Sequence, residues 1–168
     1  MDALDLLKTQ VTGLRRDFAN IVGDMTSEQL HWTPPGVANP IASLILHSTG
    51  FLDQTVHRTA QGKPPIWDSG NWQQKLGTPP VGRQDLEGGR KLKMDINLVK
   101  QYVNEVMASS ETYLNSLKPA DLDRKITTSR GENALGNMLS GAFVIHFADH
   151  MGEMSALKGC QGGKGYVG

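Results

Sequence analysis

The sequence predicts an all-α fold, a four-helix bundle in up-down-down-up order with a long crossover between the second and third helices. Two observations carry this prediction. Apolar residues recur every three or four positions along four long segments, which is the spacing of amphipathic helices. A proline- and glycine-rich segment at residues 63–93 separates the second helix from the third.

The first predicted helix spans residues 2–22, where apolar side chains recur at helical spacing, and Gly23 ends it. Residues 25–30 follow as a short helical turn that opens on a capping residue. Residues 32–40 contain three prolines and a glycine, which predicts a loop.

The second predicted helix begins at Asn39 and Pro40, interpreted as a cap followed by proline at the first helical position. It ends near Gly62. Seven residues form its predicted inward stripe: Ile41, Leu44, Ile45, Ser48, Phe51, Leu52 and Val56.

Residues 63–93 are too many for a tight turn between antiparallel helices. A helix of about 22 residues is about 33 Å long, and an extended segment of this size covers that distance. The segment is therefore predicted to cross the whole bundle, which makes the second and third helices parallel. Trp67 and Trp72 are predicted to pin it to the core.

The third helix is predicted over residues 94–117, and Lys118 and Pro119 end it. A polar connector follows to Glu132. The fourth helix is predicted over residues 133–158, with Gly159 as its C-terminal stop. No segment shows a clean strand alternation, so no sheet is predicted.

Composition narrows the function classes. Residues 1–168 are enough for one domain with a sizeable core, and a single helical-bundle domain is predicted. The 17 basic residues balance 17 acidic ones without a basic cluster, so neither nucleic acid nor a membrane surface is an expected partner. No apolar stretch approaches the roughly 20 residues that span a bilayer. A single cysteine, Cys160, and no visible signal peptide indicate a cytoplasmic protein.

Three of the five histidines share a pattern. His146 and His150 lie four residues apart on the fourth helix, which stacks their side chains on one face. Apolar residues share that face, so it is predicted to be buried. His47 lies between Leu44 and Phe51 on the stripe of the second helix. A buried imidazole needs a partner, and three imidazoles from facing helices can share one cation.

Spacing alone leaves two interpretations of these histidines open. A histidine on an apolar face is commonly a core residue bonded to a backbone carbonyl or a hydroxyl. As metal ligands, three neutral imidazoles suit zinc, nickel, iron or copper alike. Three protein ligands also leave one position for water or substrate, which is the catalytic pattern. Phe147 stands where a zinc protease carries its glutamate base, which excludes that class.

Glu153 lies three residues after His150 on the same face. It is interpreted either as a carboxylate that orients a ligand or accepts a proton, or as a solvated residue near the helix end. His31 lies in a loop, and His57 lies about 80° around the second helix from His47. Both are excluded from the predicted site.

Four segments resemble the DinB/YfiT-like superfamily of metal-dependent bundle proteins. They are residues 26–34, residues 39–47, residues 146–154 and residues 157–162. The signature of that superfamily is a histidine in the second helix together with a final pair of histidines four residues apart.

The resemblance implies a bundle in up-down-down-up order, one divalent metal ion held by His47, His146 and His150, and a homodimer. Zinc and nickel are the ions expected first, with iron and copper as alternatives. It further implies an enzyme that activates a thiol or water, of the thiol-dependent transferase or hydrolase type. The substrate would be a small molecule or a low-molecular-weight thiol such as bacillithiol, mycothiol or glutathione.

One departure from the superfamily pattern concerns Glu153, because members commonly carry a small polar or amide residue there. The carboxylate leaves the reaction open. Two other functions also stay open: a non-catalytic metal-binding or stress-response protein, and a plain helical oligomerisation domain.

Overall fold

The computed structural model describes residues 1–78, 86–129 and 131–165. Residues 79–85, which belong to the predicted crossover, lie outside the described residues. In chain order the α-helices are α1 (Ala3–Val22), α2 (Ser27–His31), α3 (Ile41–Asp53), α4 (Ile66–Ser69), α5 (Trp72–Leu76), α6 (Leu86–Arg90), α7 (Ile96–Ser116), α8 (Leu135–Ser140) and α9 (Phe147–Cys160). Two π-helical segments are Gln54–Ala60, which continues α3, and Gly141–His146, which joins α8 to α9.

Contacts between α1 and α7 show that these helices are antiparallel. Arg15 pairs with Glu111, and the carbonyl of Gly23, just past the end of α1, accepts a hydrogen bond from Lys100 near the start of α7. The residue numbers therefore run in opposite directions along the two helices.

The contacts that α3 and its π-helical continuation make with α7 show that these helices are parallel. Asp53 accepts a hydrogen bond from Tyr102, and His57, one turn later, contacts Ser109. The second and third long helices are thus parallel, as the crossover predicted.

The last long helix turns back along α3. His47 lies against His150, and Phe51 lies against His146, with ring centroids 4.9 and 4.3 Å apart respectively. The predicted up-down-down-up order is confirmed by these three sets of contacts.

The described parts of the crossover pack against α7. Trp67 and Trp72 are both buried, and each ring centroid lies 5.3 Å from that of Tyr102. The prediction that the two tryptophans pin the crossover to the core is confirmed. The crossover is not simply extended, because α4 and α5 carry these tryptophans.

Most predicted helix ends shift by one or two residues, and two of these shifts change how a helix is capped. Pro40 is the N-cap of α3, with extended backbone angles, rather than its first helical residue. Gly159 lies inside α9, which continues to Cys160. Gly162, at φ 74°, supplies the left-handed residue that follows the helix end.

The predicted polar connector contains structure that the sequence did not indicate. A 3₁₀ turn over Pro119–Asp123 leads into an antiparallel hairpin of β1 (Lys125–Thr128) and β2 (Gly131–Ala134). Lys125 faces Ala134 in the register. Ile126 alone in the two strands is an apolar residue packed on the core, so alternation was too weak to predict a strand.

No helix within the described residues is long and apolar enough to cross a membrane.

Candidate metal centre

The structure brings His47, His146 and His150 together where α3 and α9 face each other. Nε2 of His47 lies 3.1 Å from Nε2 of His146. One ring nitrogen from each of the three residues lies within 4.8 Å of the others. The three rings form one cluster, with centroids 4.6 to 4.9 Å apart.

The local helix geometry explains how the three rings meet. His146 ends the π-helical segment and His150 lies one turn further on, so both rings project from the same side. His47 comes from the antiparallel helix α3 and meets both of them. The sequence interpretation of the spacing is therefore correct.

The expected burial of the site is wrong. His47 is exposed, and His146 and His150 are only partly buried. Along α3 every residue is buried except His47 and Phe51, which lie one turn apart and face outward. The prediction that Phe51 faces inward is therefore wrong. The cluster lies at the rim of the core, where solvent and ligands reach it.

Partial burial and neighbouring charge lower the pKa of two of the three rings, His47 and His146, which favours their neutral form. Burial is the largest cause that lowers the pKa of His146 from 6.5 to about 4, and the neighbouring His150 and His47 lower it further. Although His47 is exposed as a residue, the partial desolvation of its ring, followed by His150, lowers its pKa as well. Neutral imidazoles carry the lone pairs that a metal ion needs.

Glu153 contacts the third histidine directly. Its Oε2 lies 2.7 Å from Nδ1 of His150, and its side chain is 56% exposed. A carboxylate at this position accepts the Nδ1 proton and leaves Nε2 of the same ring free to donate to a metal ion. This contact is the geometry that the interpretation of Glu153 as an orienting carboxylate requires.

The spacing of the cluster suits a single ion. Ligand nitrogens of a tetrahedral zinc ion at its usual bond length are about 3.4 Å apart. The separation of 3.1 Å between Nε2 of His47 and Nε2 of His146 is close to this value. Rotation of the His150 ring can bring its nitrogen to a similar distance from the other two. Nδ1 of His146 is buried and finds no hydrogen-bond partner within the described residues, so this ring is not held as an ordinary core histidine.

His31, which was predicted to lie in a loop, is the last residue of α2 and is bonded as a structural histidine. Its Nδ1 donates to the carbonyl of Ser27 at 2.8 Å, and its Nε2 accepts the backbone N–H of Met94 at 2.9 Å. Both nitrogens are satisfied, and the ring lies outside the cluster.

His57 belongs to a separate buried network that the sequence did not reveal. Its Nδ1 lies 2.8 Å from Oδ1 of Asp53, and its Nε2 lies 2.8 Å from Oγ of Ser109. Asp53 is fully buried and also accepts the backbone N–H groups of Ile66 and Trp67. Only His57, four residues away, is a local partner of Asp53; its other partners come from the crossover and from α7, so the sequence does not reveal the network.

The order Asp53–His57–Ser109 is that of a serine hydrolase, but the surroundings do not support that chemistry. Ser109 lies in the middle of α7, where the backbone N–H groups are used by the helix and cannot form an oxyanion hole. The carboxylate of Asp53 binds the crossover to the bundle, so the network is structural.

Comparisons with known proteins agree with this architecture. A family model described as the DinB superfamily matches residues 10–154. A crystal structure described as the conserved protein of locus from Enterococcus faecalis has a TM-score of 0.76 to this chain. It is 19% identical, and the match covers 95% of this chain and 99% of that chain, so the likeness concerns the fold. A comparison with curated proteins gave no significant match.

Proposed function

The chain belongs to the DinB superfamily, and from that premise we propose that it binds a divalent metal ion through His47, His146 and His150 and acts as an enzyme. Metal binding is typical of the superfamily. The observation that carries the proposal is the convergence of three ring nitrogens within 4.8 Å from two antiparallel segments.

The proposed reaction type is activation of a thiol or a water molecule, as in a thiol-dependent transferase or a hydrolase. A divalent ion supplies this chemistry by lowering the pKa of a thiol or water bound to it. Three histidine ligands leave a position for that molecule, and the exposure of His47 gives access to it. Zinc and nickel are the ions proposed first, with iron and copper as alternatives.

The residues of the chain have distinct proposed roles. The three histidines hold the ion as neutral ligands. Glu153 orients His150 through its 2.7 Å contact with Nδ1 and is a proton acceptor beside the site. The substrate is proposed to be a small molecule or a low-molecular-weight thiol.

The proposed assembly is a homodimer without a nucleic-acid or membrane partner. The family premise supports the dimer, and the balance of 17 basic and 17 acidic residues supports the absence of a nucleic-acid partner. Light scattering at high protein concentration tests the dimer, and a constant monomer mass would count against it.

Elemental analysis tests the metal site. Protein purified without an affinity tag is expected to carry one transition-metal ion per chain. His146→Ala should lose most of it. His31→Ala is the control, because His31 is a histidine outside the cluster with its own hydrogen bonds. Equal metal content in the parent and in His146→Ala would refute the proposed site.

A further inference from the structure

Building on the metal site proposed above, we propose that it selects an uncharged thiol with a flat apolar body, of the aralkyl type, over thiols that carry a negative charge. Two independent features of the molecule support this choice: an exposed aromatic ring that touches the cluster, and the sign of the charges around it.

Phe51 supplies the apolar surface. Its ring centroid lies 4.3 Å from that of His146 at an interplanar angle of 34°, so part of the ring packs on a proposed metal ligand. Phe51 is nevertheless 41% exposed. It lies one turn from His47 on a helix whose other described side chains are buried. An apolar group bound beside His146 would cover the remaining surface of this ring, and aromatic groups gain most from such contact.

Isolated exposed apolar residues are common and carry no functional meaning by themselves. Leu6, on α1, is 44% exposed. Phe51 differs because it contacts a ring of the cluster. A ligand atom that approaches the three histidines brings the rest of the ligand close to Phe51.

Apart from the histidines, every charged side chain on α3 and on residues 135–157 is negative. Asp149 and Glu153 are exposed carboxylates on α9. Glu153 contacts His150 at 2.7 Å, and Asp149 directly precedes His150 in the chain. Neither α3 nor residues 135–157 contain a lysine or an arginine. The two segments that carry the ligands therefore offer no cation to a carboxylate on the substrate, and two carboxylates repel it.

Three probes separate the contributions of shape and charge. Phenylmethanethiol is uncharged and aromatic, 4-(sulfanylmethyl)benzoate adds a carboxylate to the same body, and 2-sulfanylethanol has no aromatic ring. Each is titrated into cobalt-substituted protein, and the sulfur-to-cobalt charge-transfer absorption reports binding. The sulfur takes the open position as its proton passes to the solvent. Phenylmethanethiol is expected to bind about tenfold or more tightly than either other probe.

Matched variants locate the selectivity. Phe51→Ala is expected to weaken phenylmethanethiol about fivefold to tenfold and to leave 2-sulfanylethanol unchanged. Leu6→Ala, of similar exposure, should change neither. Asp149→Asn should improve binding of the benzoate probe relative to phenylmethanethiol.

The outcomes separate this inference from the proposed function. Failure of the parent protein to take up cobalt at the histidines would overturn both. Cobalt uptake with equal affinity for all three thiols would overturn the inference alone. So would a Phe51→Ala variant that loses affinity equally for the aromatic and the non-aromatic thiol.

Discussion

Nε2 of His47 lies 3.1 Å from Nε2 of His146, so the two rings meet through the same kind of atom. With both rings neutral, one nitrogen must donate a proton and the other must accept it. A metal ion bound to both nitrogens would take the place of this hydrogen bond, and the donor ring would carry its proton on Nδ1 instead. Because the two rings come from different helices, the ligand set exists only when the bundle is folded, and metal binding should stabilise the fold.

Zinc is therefore expected to raise the free energy of unfolding of the metal-free protein. At a free zinc concentration of 100 times Kd the gain should be about 2.7 kcal/mol. His47→Ala should show little of this gain because one of the two linked helices no longer supplies a ligand. Urea denaturation with and without zinc measures the effect. An equal gain in parent and variant would show that zinc binds elsewhere, for example at Cys160.

Asp53 should contribute more to stability than any exposed ion pair. Burial is the main cause that raises the pKa of Tyr102 well above its usual range, so the phenol stays protonated and donates to Asp53. Asp53→Asn puts an amide N–H against groups that are themselves donors, and should cost about 3 kcal/mol or more. The comparison is Asp68→Asn, because Asp68 pairs with Arg58 in a half-exposed position. That change should cost less than about 1 kcal/mol.

Urea denaturation of the two variants tests whether Asp53 holds the crossover to the bundle. A similar loss for both would mean that the buried carboxylate does not hold the crossover. The metal site should survive in folded Asp53→Asn protein, because Asp53 does not contact the histidine cluster.

Lys158 is expected to hold the C-terminal ends of α1 and α9 together. It is buried, and its Nζ donates to the carbonyl of Ile21, at the end of α1, at 2.8 Å. Lys158→Met keeps the apolar stem but removes this charge-assisted bond, which should cost about 1–3 kcal/mol. Lys100→Met is the control, because Lys100 donates to the nearby carbonyl of Gly23 at the exposed surface. Equal effects in thermal denaturation would contradict the assigned role.

Asp24 should make part of this stability depend on pH. Its hydrogen bond to Lys158, and then the charge of that lysine, lower its pKa from 3.8. The unfolded chain therefore binds a proton more readily than the folded chain, so the contribution is present above pH 3.8 and is lost as the pH falls through the lower folded value. Asp24→Asn should be less stable than the parent at neutral pH, and the difference should shrink below pH 3.8. Urea midpoints measured across this range test it, and a constant difference would contradict it.

The sequence predicted the bundle because its long helices bury regular apolar stripes, and it predicted their directions from the size of the crossover. It did not predict that Phe51 faces outward, since this depends on where α9 packs against α3. The π-helical segments also escaped prediction, because a change in backbone hydrogen bonding leaves no periodic pattern in a short segment.

The three histidines of the candidate site were predictable from the sequence, but the buried network around Asp53 was not. The spacing of His146 and His150 placed both rings on one face, and the stripe of the second helix together with the family resemblance added His47. The network around Asp53 was not predictable, because its donors at Ile66 and Trp67 are backbone groups of the crossover. Backbone donors have no residue type that a sequence pattern can show.

Glu153 should tune the metal affinity through His150. Its carboxylate lies 2.7 Å from Nδ1 of that ring, so it fixes the tautomer in which Nε2 is free to bind the ion. Loss of such a partner commonly costs about 10- to 100-fold in metal affinity. Glu153→Ala should fall in this range.

Glu153→Gln separates orientation from charge, because its amide oxygen still accepts the Nδ1 proton while the negative charge is gone. Its zinc affinity should lie between those of the parent and Glu153→Ala. Glu132→Ala is the matched control, since Glu132 is an exposed glutamate in the hairpin that pairs with Lys125 and should leave the affinity unchanged. Competition with a chromophoric chelator measures zinc affinity in all four proteins. If Glu153→Ala binds zinc as tightly as the parent, the contact with His150 does not orient a ligand, and Glu153 is a solvated residue near the end of α9.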